Sequence, residues 1–456
     1  MSGVRRAFPL PRAAASFPRV MTSTALASPD SGATAGAPAD ARPLAEQLFP
    51  AGPLPARQLA SEALPAPVRP QAAQSVLDIT EFFGATSGGI RTYLLEKAKY
   101  VEARPALRQV LVVPGEADAI TEARGVRCYR LKGAPIPGQA PYRLMLGRRA
   151  IHRIIAHEAP AVIEVGSAWT VPWLVRGAAR EAGIPLAYFY HSNVPRLISP
   201  VPERDGLMRT GLASLLWRYA RRLDRMFDVT IATSKFSERE LRGAGIDRVV
   251  RVPLGADLDT FTPARRAARD ETRRRHGLPV DAPVAGFVGR FAMEKELDVL
   301  VEAWREVERR TGAWLVLIGD GPKRKMLQRL AEGRRVRLLP YQSTRPALAD
   351  LHAALDLYIA PNPSETFGLS SLESLASGTP LLAADRGGAG EQAIDSAAGR
   401  TFESGSAASL AREAIAMLGM DAAVLGANGR AYCEREHAWP HVFDRLFAVY
   451  HDLRRA

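Results

Sequence analysis

Glu365 and Glu373 are separated by seven residues in Glu365-Thr366-Phe367-Gly368-Leu369-Ser370-Ser371-Leu372-Glu373. The strand-like run Leu357-Tyr358-Ile359-Ala360-Pro361 leads into this stretch, and Gly378-Thr379-Pro380 closes it. A helix that opens just after a strand end presents unpaired N–H groups and the positive end of its dipole, a ready site for an anion. Gly368, Leu369 and Ser370 would supply those N–H groups to a diphosphate, with Phe367 in the same turn. Glu365, just outside the helix, would accept hydrogen bonds from a polyol, and Glu373, about two turns along, would reach a second polyol such as a ribose. Phosphate flanked by two sugars is the chemistry of a nucleotide sugar. The competing reading is a surface helix carrying two solvated glutamates.

A second cluster lies upstream. Val288-Gly289-Arg290 ends the strand-like run Val284–Val288, and Lys295 follows at a helix start. Gly289 lets backbone approach a ligand closely. Arg290 can fork onto diphosphate oxygens and Lys295 adds a point charge. Cations at a helix start oppose the dipole unless an anion sits between them. Departure of a nucleoside diphosphate would concentrate negative charge there, so both cations should act most strongly in the transition state.

The setting "ETFGLSSLESLASGTPLLA", together with "VGRFAMEKELDVL", resembles the donor site of glycosyltransferase family 4, retaining enzymes of the GT-B fold. Two further segments fit the resemblance. Val76–Thr80 leads into Ser87-Gly88-Gly89 and then an apparent helix, Arg91 to Tyr100, and resembles the family's glycine-rich loop facing the donor from the opposite domain. On its own it also reads as a tight βα turn. Leu186–Tyr190 ends in His191, at the carboxyl end of a strand, where α/β sheets place ligands. A histidine there most often has a structural role; the resemblance implies that His191 contacts the donor sugar. The catalytic set implied is His191, Arg290, Lys295 and Glu365. The donor-binding set is Gly88, Gly89, Gly289, Arg290, Lys295, Glu365, Phe367, Gly368, Leu369 and Glu373. No cofactor is expected beyond the nucleotide-sugar co-substrate, and no metal. Asp257-Leu258-Asp259 matches a metal–diphosphate pattern but sits in an interdomain-like segment, without a supporting strand-end site. Glu391, after Gly387-Gly388-Ala389-Gly390, resembles a family position near the donor.

The elements that must position these residues follow from hydrophobic periodicity. Strands are expected at Val76–Thr80, Val110–Val113, Val126–Leu131, Ala161–Val165, Leu186–Tyr190, Val229–Thr233 and Arg248–Val252. Amphipathic segments such as Arg143–His157 and Val171–Glu181 separate them. After Pro253–Phe261 the alternation restarts at Val284–Val288, Trp314–Ile318, Val336–Leu339, Leu357–Ala360 and Pro380–Ala383. Such alternation predicts parallel doubly wound sheets. The expected α/β architecture is a GT-B fold, two Rossmann-like domains facing across a cleft. Its divisions are a disordered Ala/Pro-rich extension over 1–74, an N-terminal acceptor domain over 75–253, and a C-terminal nucleotide-sugar donor domain over 254–435. A C-terminal helix over 436–456 crosses back to the N-terminal domain.

With 456 residues, 47% of them hydrophobic, the chain can build more than one core. No apolar run is long enough for a transmembrane helix. Cys128 and Cys433 form no disulfide framework and fit a reducing compartment, hence a cytoplasmic location. The net charge of +13 invites an anionic partner. Zinc-finger spacing and an RNP-like strand are both missing, so nucleic acid is not expected. Arg5, Arg6, Arg12 and Arg19 precede the first acidic residue, Asp30, which faintly suggests a transit peptide.

In Gly206–Phe227, Met208, Leu212, Leu215, Leu216, Tyr219, Leu223 and Met226 share one apolar face, while Arg209, Arg218, Arg221, Arg222 and Arg225 crowd the rest around Trp217. Core packing is the reading favoured for that face, and the arginine-rich edge could still meet lipid headgroups. The predicted function is transfer of a hexosyl group from a UDP- or GDP-linked sugar to an acceptor, a membrane glycerolipid such as diacylglycerol at the cytoplasmic membrane face. A soluble transferase acting on a polysaccharide or small molecule, and a catalytically silent scaffold, are the alternatives.

Overall fold

The computed structural model describes residues 42–455 apart from 51, 53, 85–87, 138–140, 192 and 194–206, and apart from the side chains of 207–213. Two sheets organise them. The first comprises β1 (Gln74–Ile79), β2 (Leu107–Gly115), β3 (Ala119–Ala123), β4 (Val126–Pro135), β5 (Arg143–Met145), β6 (Val162–Val165), β7 (Leu186–Phe189), β8 (Val229–Ala232) and β9 (Val249–Arg251). Its spatial order is β3-β4-β2-β1-β6-β7-β8-β9, with β5 added on β4. Pairing is parallel except where β3 and β5 run antiparallel to β4. The second sheet comprises β10 (Val284–Val288), β11 (Trp314–Ile318), β12 (Val336–Leu339), β13 (Leu357–Ala360), β14 (Leu381–Ala384) and β15 (Gly399–Phe402). It is wholly parallel, in the order β12-β11-β10-β13-β14-β15. Strands buried on both faces read as continuous apolar runs, and those runs made both sheets visible in the sequence.

Three strands were not anticipated. β3 and β15 are short and polar. β5 occupies the start of Arg143–His157, so the helix there begins only at Arg148 and spans Arg148–Glu158. Arg143 Nη1 bonds Gly133 O at 3.0 Å, anchoring the antiparallel pair instead.

The expectation of disorder over 1–74 fails for the described residues from 42 onward. Leu44 and Leu48 of a short helix are buried, Leu59 is fully buried, and the Phe49 and Phe83 rings lie 4.7 Å apart. Arg69 threads its guanidinium among the carbonyls of Val101, Glu102, Arg104, Leu107 and Arg124. Composition signals little core here, but a few apolar anchors and charge-assisted bonds to carbonyls that need donors are enough to dock the segment. Residues 1–41, which carry the arginines of the supposed transit peptide, lie outside the described residues.

The chain passes between the sheets twice, side by side. Ala256 and Ala438 form a parallel bridge, and Ala256 N donates to His437 O at 2.8 Å. The final helix, Trp439–Arg455, then lies against Gly89–Glu102 of the first half, burying Val442, Phe443, Leu446, Phe447 and Tyr450. Each such side chain contributes about 1.5–3 kcal/mol by leaving water. Beneath it, Lys97 Nζ lies 2.6 Å from Asp78 Oδ1, 3.1 Å from Glu164 Oε1 and 2.9 Å from the Tyr450 hydroxyl, all buried.

Candidate active site

The β13 strand delivers the chain to Glu365, and the helix Leu369–Ala376 starts immediately afterwards. Gly368 precedes that helix at φ +91°, a conformation that suits glycine, and no side chain caps the helix. Its first N–H groups are therefore presented rather than consumed by a capping side chain.

Lys295, in the turn after β10, reaches across to this loop. Its Nζ is 2.6 Å from Glu365 Oε2, and Asn362 Nδ2 donates to the same oxygen at 3.0 Å. Burial works to raise the Glu365 carboxyl, but Lys295 and Asn362 hold it below the ordinary carboxylate value. Burial likewise opposes charge on Lys295, and Glu365 keeps its ammonium above the usual lysine value. Both groups are thus ionised. Both hydrogen bonds fall on Oε2. Arg290 opens the same turn after β10, where its charge acts on Lys295 and on the Tyr142 phenol of the N-terminal half.

Glu373 is held differently. Its Oε1 lies 2.5 Å from Arg345 Nη1, and its side chain is only 4% exposed. Burial raises its pKa against the pull of Arg345. The Arg345 guanidinium packs 4.5 Å over the Phe261 ring, and its Nε and Nη2 are buried with no protein partner among the described residues. His352 Nε2 is 3.4 Å from Ser370 Oγ, and burial followed by the Arg345 charge pushes its pKa down to about 3.

On the facing wall, a Cβ on Gly89 would lie 3.8 Å from Leu369 Cδ2, so the glycine turn approaches the start of the Leu369–Ala376 helix. Gly88 is exposed, with open space where a side chain would project. His191 stacks on Phe189 with ring centroids 4.3 Å apart, and the Tyr93 ring meets it edge-on at a centroid distance of 5.2 Å. Burial, reinforced by Lys97, lowers its pKa to about 3, so it is a neutral imidazole able to hydrogen-bond a hydroxyl. A side-chain hydroxyl joins the two walls, since Thr366 Oγ1 donates to His191 O at 2.9 Å.

These contacts place Gly89 beside Leu369, Lys295 beside Glu365 and, through Thr366, His191 beside the Glu365 loop, while Glu373 lies further along the helix that begins at Leu369. Three positions were missed from sequence. Asn362 sits in an unremarkable Pro-Asn-Pro turn, Arg345 follows the Thr344 helix cap, and Thr366 lies inside the motif yet was passed over. Asp257 uses Oδ1 to accept Thr260 N at 3.0 Å, a local turn role. Glu391 pairs with Arg239 of the N-terminal half at 2.9 Å.

Comparison with known proteins fits this geometry. Residues 268–431 match the model for glycosyl transferases group 1, and residues 87–260 match that for glycosyltransferase family 4. A Mycobacterium tuberculosis GDP-mannose-dependent alpha-(1-6)-phosphatidylinositol dimannoside mannosyltransferase is 32% identical over 67% of this chain and 78% of its own. The chain belongs to the group 1 glycosyl transferases. A D-inositol 3-phosphate glycosyltransferase of Xylanimonas cellulosilytica is 29% identical to this transferase, over 80% of this chain and 91% of its own. Sucrose-phosphate synthase from Thermosynechococcus elongatus superposes with a TM-score of 0.67 at 21% identity, covering 83% of this chain and 99% of its own. Anabaena HepE, solved with UDP and glucose, does so at 0.62 and 20%, covering 82% and 98%. The transferase thus has the GT-B fold, two Rossmann-like domains facing across a cleft.

Proposed function

We propose that this transferase moves a hexosyl group from a nucleoside-diphosphate sugar to a membrane glycerolipid, with retention at the anomeric carbon and without a metal. The observation that carries the reading is the Lys295–Glu365 pair at the mouth of an uncapped helix, opposite a neutral His191. Lys295, Arg290 and the N–H groups of residues 368–370 would take up the charge of the leaving diphosphate. Glu365 Oε1 and His191 would fix sugar hydroxyls, and Glu373 with Arg345 would meet the ribose side. As the bond to the diphosphate breaks, the acceptor hydroxyl attacks on the same face and the departing phosphate takes its proton. GDP-mannose is the donor favoured by likeness to the mycobacterial relatives.

A second observation supports the lipid acceptor. Trp173 is 40% exposed with Arg222 5.4 Å over its ring, and Leu215 is 55% exposed on the neighbouring helix. Arg176, Arg180 and Arg218 are exposed on the same two helices, and Arg225 is exposed in the turn that follows the second. Tyr219 and Leu223 pack inward, so the helix buries one face and leaves a basic, aromatic edge outside. Such an edge suits an anionic membrane surface, on the cytoplasmic face in this reading. Among the described residues, no helix is long and apolar enough to cross a membrane.

The test incubates the protein with labelled GDP-mannose or UDP-glucose, vesicles containing phosphatidylinositol and diacylglycerol, and EDTA. Label in the lipid extract supports the reading. Label confined to a water-soluble product made from inositol phosphate would move the acceptor to the soluble class, towards which the Xylanimonas relative points. Trp173→Ala with Arg222→Glu should reduce flotation with anionic vesicles at low salt, and salt should abolish the wild-type binding.

A further inference from the structure

Thr366 lies between the two halves, and its polar groups go to separate partners. Its side-chain Oγ1 donates to the main-chain oxygen of His191. Its own carbonyl oxygen receives three hydroxyls from the N-terminal half: Ser234 at 2.6 Å, Ser237 at 2.9 Å and Thr233 at 3.1 Å. All four residues are buried.

The local sequence explains the donors. Ser234 caps the helix Lys235–Gly243, its Oγ accepting Ser237 N at 3.0 Å. An Oγ that already accepts from main chain has one proton to give, and Thr366 O at 2.6 Å is nearer to it than Ser237 Oγ at 3.1 Å. Thr233 directly follows β8 and Ser237 lies in the first turn of the helix, so the three hydroxyls converge. A carbonyl has two lone pairs; three donors around one oxygen exceed what local satisfaction requires. The oxygen they meet belongs to the residue after Glu365. Gly388 N fixes Glu365 O at 2.7 Å, and Gln392 Nε2 fixes Phe367 O at 2.8 Å, so the loop is tied on both sides of Thr366.

We propose that Thr366, with the hydroxyls of Thr233, Ser234 and Ser237, is a closure latch. These are positioning residues: they hold Glu365 and His191 in fixed relation across the cleft when the halves are together. The proposal rests on the assignment of Glu365 and His191 to the donor sugar. With the halves apart, water would take the hydroxyls' places, so the latch adds no charge and binds no ligand. It acts on turnover through the placement of Glu365 and His191, because a displacement of about 1 Å at a reacting centre costs roughly 100-fold in rate.

The experiment compares wild type, Thr233→Val with Ser237→Ala, Thr366→Val and Thr366→Ser. Ser234 is left in place because it caps a helix. Affinity for GDP and UDP is read by calorimetry, and turnover of whichever of GDP-mannose or UDP-glucose the wild type consumes is read by nucleotide release. The double variant and Thr366→Val should bind nucleotide within about twofold of wild type and lose roughly 10- to 100-fold in kcat. Thr366→Ser keeps the hydroxyl and should stay near wild type. Wild-type kcat in both the double variant and Thr366→Val overturns the latch. Should the double variant melt early, Thr366→Val against Thr366→Ser decides. Glu365→Ala separates the two levels: if it too keeps full turnover, the sugar-site assignment has failed, whereas an inactive Glu365→Ala beside active latch variants removes the latch alone.

Discussion

Lys295 Nζ and Glu365 Oε2 stand 2.6 Å apart, joining the turn after β10 to the loop after β13. The pair connects the group assigned to the leaving diphosphate with the group assigned to the sugar. Lys295→Ala removes the cation that holds Glu365 below its ordinary pKa and the charge that would meet the diphosphate. Loss of one preorganised electrostatic contact of this kind costs about 100- to 1000-fold in kcat. Lys295→Ala should fall in that range, with Glu365→Ala comparable. Steady-state kinetics on the preferred donor checks it, and a change confined to KM would mean the pair binds substrate and transition state alike.

Arg345 and Glu373 make a second prediction. Removing one partner of a mostly buried pair strands the other charge. Glu373 is nearly inaccessible, whereas Arg345 is about one-third exposed (32%) and partly screened by water. Arg345→Ala should therefore destabilise the protein by about 1–3 kcal/mol, by the usual cost of an unsatisfied buried group. Glu373→Gln in the same background should recover part of it. Urea denaturation of the two single variants and the double measures the coupling.

Much of this was legible because apolar runs mark parallel strands whichever way their side chains face. Leu107–Gly115, buried along nearly its whole length, is plain from Val110-Leu111-Val112-Val113 alone. The helix at Leu369 was also legible, since Gly368 and Gly378 bracket it. Partners distant in sequence were not. Nothing around Arg345 signals Glu373, 28 residues on, and nothing in Thr233 or Ser237 signals Thr366. Chain reversals set those encounters, and hydrophobic period carries no information on them. β3 and β5 escaped for another reason. Antiparallel edge strands of three to five residues, half polar, have too few positions to establish a period of two.

The buried cluster beneath the C-terminal helix gives a third prediction. Lys97 sits between Asp78 and Glu164 with no exposed surface, and the hydroxyls of Tyr93 and Tyr450 both donate to Glu164. Lys97→Met leaves two carboxylates facing each other without a cation. A cost of about 3–5 kcal/mol follows from stranding buried charge, and expression of folded protein should fall. Tyr450→Phe removes one hydroxyl and should cost about 1–2 kcal/mol, the size of a buried hydrogen bond to a charged group. Chemical denaturation orders the two, and a Lys97→Met protein as stable as wild type would mean that the carboxylates carry no charge to strand.

The last prediction concerns acid. His352 is fully buried, and burial first, then the charge of Arg345, lowers its pKa from 6.5 to about 3. In the unfolded chain it takes a proton below about pH 6.5, while in the folded chain it stays neutral until about pH 3. The unfolded state therefore binds more protons throughout that window, and the stability contributed above pH 6.5 is lost as pH falls through it. Glu164, whose carboxyl burial pushes up against the pull of Lys97, acts in the opposite direction above its unfolded value of 4.5, where the folded chain holds the extra proton. Total stability thus mixes opposing slopes, and a difference measurement isolates one group. His352→Gln lacks the titration, so the stability gap between wild type and variant should narrow by at most about 1.4 kcal/mol per pH unit, or roughly 2 kcal/mol between pH 6.5 and 5. Urea denaturation of both proteins at those two pH values reads the gap. A gap that stays constant would place the His352 proton equilibrium of the folded chain at its ordinary value, and with it deny that the imidazole beside Ser370 and Arg345 is held neutral.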